Sequence, residues 1–116
     1  MARITSLMFI LPVSDLTRAE RFYCDAFNLE VVFRGGDQIV FVGIPGGDTS
    51  FGLLLDPANA GAGPQNVGLH VDHAVRLDAA IADVEAAGGR VVERGEHAPD
   101  VPFARIADLD GNILEI

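Results

Sequence analysis

The chain reads as a single α+β domain built from two tandem βαβββ modules, and three observations predict it. The order strand, helix and three strands is written twice along 116 residues. Each helical pattern ends at a residue suited to a left-handed stop, Asn28 in the first copy and Gly88-Gly89 in the second. The segments around these stops, Asn28-Leu29-Glu30-Val31-Val32 and Gly88-Gly89-Arg90-Val91-Val92, occupy the same place in their copies. A repeat of this size predicts two modules related by a pseudo-twofold, forming a mixed, curved sheet with a half-barrel cleft and the helices packed outside.

Module one covers residues 3–56. Ile4 to Val13 is an apolar, β-branched run that suits a buried strand, closed by the turn Pro12-Val13-Ser14-Asp15. Thr17 and Glu20 have the spacing of a capping box, and Ala19, Phe22, Tyr23, Ala26 and Phe27 fall on one helical face. Strands are expected at Glu30–Arg34, Gln38–Ile44 and Ser50–Asp56, separated by Gly35-Gly36-Asp37 and Pro45-Gly46-Gly47-Asp48. A linker of Ala, Gly and Pro spans 57–64. Module two, 65–116, opens with a strand over Asn66–Val71, followed by a helix with Leu77, Ala80, Ile81 and Val84 on one face. Strands at Arg90–Glu93, Phe103–Ala107 and Ile113–Ile116 complete it, with Gly95–Pro102 as a loop and Asp110-Gly111 as a hairpin turn.

Composition narrows the function classes. A net charge of −9 disfavours phosphate-backbone contacts, so nucleic acid is not an expected partner, and the same charge would steer a cationic guest. No apolar run approaches the roughly twenty residues a membrane span requires. The N-terminus shows no signal segment, and a single cysteine, Cys24, forms no internal disulfide; the expectation is a cytoplasmic protein. Cys24 sits in the first helix beside Asp25 with no base in view, which suits a structural thiol. No nucleophile elbow, phosphate-binding loop or dinucleotide fingerprint is present.

Val13-Ser14-Asp15-Leu16 with Arg21-Phe22-Tyr23, then Ala86-Ala87-Gly88-Gly89, then Asp108-Leu109-Asp110-Gly111-Asn112-Ile113-Leu114-Glu115-Ile116 resemble the vicinal-oxygen-chelate superfamily. That superfamily includes glyoxalases, extradiol dioxygenases, fosfomycin-inactivating enzymes and bleomycin-resistance proteins. The resemblance implies four metal-ligand positions, on the first and last strand of each module. Here they fall on Met8, Leu54, Asn66 and Glu115. A thioether is a poor partner for hard divalent ions, an aliphatic side chain offers no donor, and an amide oxygen binds weakly. Only Glu115 keeps the ligand, so no metal and no cofactor are expected.

Met8 and Leu54 would make the cleft greasier than a metal site, with Phe41 and Phe103 available to stack on a planar guest. His70 shares a strand face with Asn66 and is read either as a hydrogen-bonded cleft histidine or as part of a shifted metal site with Asn66 and Glu115. His73 and His97 fall in turn and loop, solvated. Arg105, in mid-strand, needs a carboxylate, a ligand or water; Glu115 across the neighbouring strand and an anionic ligand group are the two candidates. The expected function is a metal-free protein that binds a small organic molecule, cationic or aromatic, in the manner of the drug-sequestering members. The alternative is a glyoxalase-like lyase or isomerase with a non-standard site, and a third reading is a domain kept for subunit association. A homodimer with a shared cleft is implied by the resemblance, and swapped and unswapped pairings of the modules both stay open.

Overall fold

Asp15, in extended conformation, accepts a hydrogen bond from Arg18 N at 3.0 Å and so caps helix α1, Leu16–Phe27. The cap is thus Asp15, two residues before the expected Thr17. The helix stops at Asn28, whose φ of 54° and ψ of 45° place it in the left-handed region expected for it. The computed structural model describes residues 2–63, 67–71 and 76–116.

Around α1, module one supplies β1 (Ile10–Val13), β2 (Glu30–Gly35), β3 (Ile39–Gly43) and β4 (Ser50–Leu55), in the sheet order β1-β4-β3-β2. β1 runs parallel to β4, and the other pairs are antiparallel. The expected strand over Ile4–Val13 is realised only from Ile10, because β4 offers β1 the register 10–13 against 52–55 and, among the described residues, no strand flanks its other edge. Module two contributes α2 (Leu77–Ala86), β5 (Arg90–Ala98), β6 (Val101–Ala107) and β7 (Ile113–Glu115), in the order β5-β6-β7. Beside β7 lies the described part of the expected strand 66–71. Gly68 bridges Glu115 in parallel, Leu69 N donates to Glu115 O at 2.7 Å, and Glu115 N donates to Val67 O at 2.8 Å. The segment therefore stands to β7 as β1 stands to β4.

The duplication extends to fine detail. Bulges fall between Val31 and Phe33 in one module and between Val91 and Glu93 in the other. Arg34 pairs with Glu20 of α1, and Arg94 with Asp78 of α2. The modules part at the second hairpin. The sequence suggested a loop over Gly95–Pro102, yet β5 continues to Ala98 and turns through Pro99-Asp100, with Asp100 at a φ of 64°.

The α+β architecture of two modules is as expected, and it is open, the strands hydrogen-bonding as one sheet per module. Both sheets turn one face into a common core. Leu11, Val13, Val40, Val42, Phe51 and Leu53 from the first sheet meet Ala104, Ile106 and Leu114 from the second, with Ala19, Phe22, Tyr23, Ile81 and Val84 of the helices among them. α1 packs on α2. Phe22 lies so close to Gly89 that a Cβ there would stand 2.8 Å from its ring.

A buried carboxylate joins the modules. Asp108, between β6 and β7, accepts from Tyr23 Oη at 2.7 Å and from Asn112 Nδ2, Asn112 N and Asp110 N, each at 2.9 Å. Asn112, fully buried, also donates to Pro12 O and accepts from Gly63 N. Ser14 donates through its amide and hydroxyl to Asp110. The end of β1, the middle of α1, the loop at Gly63 and the turn before β7 are thereby fixed to one another.

Phe22→Ala is expected to lower stability by about 3–5 kcal/mol as a large-to-small core change, and an unchanged melting temperature would remove Phe22 from the core. Burial pushes the Tyr23 phenol well above its ordinary value of 10.0, with the Asp108 charge adding to the rise. A raised phenol favours the neutral form in the fold. Its contribution is therefore complete below pH ~10 and lost as the pH climbs above it, at up to about 1.4 kcal/mol per pH unit. The chain has one tyrosine and no lysine, so urea unfolding between pH 10 and 11.5 should show this loss in the wild type and a much shallower one in Tyr23→Phe.

Candidate binding site

Opposite the core, each sheet presents a second face, and the two faces differ in chemistry. On module one, alternation along β1, β3 and β4 places Ile10, Ile39, Phe41 and Leu54 on the uncovered side. Met8 continues the alternation and is 54% exposed; Phe33, at the edge on β2, is 58% exposed and its ring lies 6.0 Å from that of Phe41. Apart from Ser50 at the start of β4, these positions are apolar.

On module two, β5, β6 and β7 bring Glu93, Arg105 and Glu115 into register as cross-strand neighbours. Arg105 Nε stands 3.6 Å from Glu93 Oε2, the carboxylate opposite it on β5. Glu115, its neighbour on β7, meets His97, with His97 Nε2 at 3.0 Å from its Oε2. A carboxylate is acceptor-only, so the imidazole N–H donates to it. The His97 ring also lies on Phe103, centroids 4.2 Å apart and planes within 16°. His97 therefore lies on strand β5 and not in the expected loop, and it stays exposed to solvent as expected. The clue in the sequence was Gly95-Glu96-His97, which continues the alternation of β5 past the glycine.

Within the first sheet Phe41 meets Phe33; within the second, Phe103 and Glu115 meet His97 and Arg105 meets Glu93. His70 is exposed beside β7, and Asn66, like His73, lies outside the described residues. Among the described residues no three His, Cys, Asp or Glu side chains group as a metal site. The donor set also disagrees with a metal: Leu54 has no donor atom, the Met8 thioether is soft, and the one carboxylate is engaged by His97. Cys24 is no better suited to chemistry, since burial pushes its thiol up and Glu20 and Asp25 push it further. No helix among the described residues is long and apolar enough to cross a membrane.

Comparison with known proteins agrees with this architecture. A hypothetical protein from S. aureus is 25% identical and superposes with a TM-score of 0.77, over 98% of this chain and 93% of that one. A lactoylglutathione lyase from Agrobacterium tumefaciens is similar at 23% identity and a TM-score of 0.67, over 98% and 93% of the two chains. The bleomycin-binding protein of Streptomyces verticillus, solved with copper(II)-bleomycin, is similar at 18% identity and 0.69, over 99% and 96%. Among curated sequences none matches. The family model described as Glyoxalase/Bleomycin resistance protein/Dioxygenase superfamily matches residues 3–116, and the chain, with its two βαβββ modules, belongs to that superfamily.

Proposed function

We propose that this protein binds a small organic molecule without a metal, as a drug- or metabolite-sequestering member of its superfamily in the cytoplasm. The observation that carries the reading is the uncovered apolar face of module one, where Met8, Phe41 and Leu54 stand at or beside positions that resemblance gives to metal ligands. Such a face, lined by aliphatic and aromatic side chains, takes up the apolar body of a guest. The bleomycin-binding protein from S. verticillus shows that this fold can hold a drug.

The guest would be cationic or aromatic, consistent with the charge of −9 and the exposed rings. Because both open faces are turned away from the common core, a second copy is the element that would close a cleft over them, which favours a homodimer. The glyoxalase-like lyase or isomerase is the second reading. It draws on the His97–Glu115 pair, an acid–base arrangement on the face of module two.

Plasma mass spectrometry of purified, untagged protein, followed by calorimetric titration with nickel, zinc, manganese and iron(II), separates the two. The binding reading expects no stoichiometric metal, and tight one-to-one metal would favour the enzyme. Met8→Ala and Leu54→Ala should weaken binding in a screen of cationic and aromatic antibiotics while leaving the melting temperature nearly unchanged; a collapse of folding would mark them as core. Light scattering should give twice the chain mass, and a monomer at all concentrations would remove the shared cleft.

A further inference from the structure

We propose that His97, Phe103 and Glu115 form a recognition platform for a planar cation bearing N–H donors, such as an amidinium or a protonated aminoheterocycle. The inference rests on the small-molecule reading above and names the part of the guest that module two would take.

Three features build the platform. Gly95 lies opposite Phe103 in the β5–β6 register, and a Cβ at Gly95 would sit 2.9 Å from two atoms of the phenyl ring. The glycine is what lets the Phe103 ring lie flat across β5. On that ring rests the imidazole of His97, nearly parallel at 4.2 Å, so the two planes form one stack. Glu115 then fixes the imidazole edge through the 3.0 Å contact with Nε2. A surface histidine held at one edge by a carboxylate and on one face by a phenyl ring has lost most of its rotational freedom, and its outer face stays open, the side chain being 54% exposed.

Such a surface selects by shape and charge. A flat π-system stacks on the outer face of His97. A carboxylate has about four lone-pair sites, so Glu115 can accept from a guest N–H besides His97. With Glu93 in the same row, two carboxylates flank one guanidinium, which favours a cation over an anion.

Titration of the intact 15N-labelled protein with benzamidine, benzamide and benzoate tests this by NMR. Benzamidine should shift the amides of residues 93–97, 103–105 and 113–115, benzamide the same residues at higher concentration, and benzoate none. His97→Ala and Glu115→Gln should each weaken benzamidine about tenfold with the spectrum otherwise preserved. Gly95→Ala should weaken it by lifting the Phe103 ring. Benzoate binding as well as benzamidine, or an affinity indifferent to His97→Ala, overturns the platform. Shifts confined to the residues around Phe41 and Leu54 overturn it while leaving the small-molecule reading in place, and silence with all three compounds overturns it too, the general reading then being decided by the Met8 and Leu54 variants.

Discussion

The arrangement of the two modules hangs on one buried carboxylate. Asp108 is almost wholly removed from water, and a bare charge there would be costly. Four donors surround it: the Tyr23 hydroxyl, two amides of its own turn and the Asn112 side chain. Three of them come from the tight turn before β7, and the fourth comes from the helix of the other module. Among the described residues no buried side-chain polar atom lacks a partner, which is what a low-dielectric network requires if it is to hold one geometry. Asn112 carries the bond onward to β1 and the Gly63 loop. The faces that bear the candidate site inherit their orientation from this clamp.

Duplication supplied the frame and divergence supplied the chemistry. Helix stop, strand bulge and the strand-to-helix ion pair recur in both halves. The exposed ion pairs add little energy, so their recurrence marks common ancestry of shape more than a need for stability. On the open faces a glycine recurs, Gly35 under Ile39 and Gly95 under Phe103, but the chemistry does not: one face is a bed of aliphatic and aromatic groups, the other a row of charges with a stacked histidine. Two unlike half-surfaces on like scaffolds suit a guest with two unlike ends.

Much of this was legible from residue order. The apolar face of α1, the left-handed Asn28 and the glycine stop of α2 follow from local periodicity and turn chemistry, which act within a few residues. What escaped depends on partners distant in sequence. Ile4 to Phe9 has strand composition but, among the described residues, no strand pairs with its outer edge, so composition alone overextended β1. Asp108 and Asn112 look like an ordinary turn, and only the arrival of Tyr23 makes them interior; a buried tyrosine does need a partner for its hydroxyl, and that was the available hint. His97 was hidden because glycine commonly breaks a strand, whereas Gly95 here makes room for a ring.

The clamp also decides where the entropy of folding falls. Ser14 and Asp110 stand 96 residues apart, and Tyr23 and Asp108 stand 85 apart, so closing these contacts carries a large loop entropy. The hairpins and helices of each module join near neighbours and form at far smaller cost. Loop-closure entropy therefore weighs most heavily on the interface between the modules, where a carboxylate must be desolvated and saturated at once, and least on the hairpins and helices within each module.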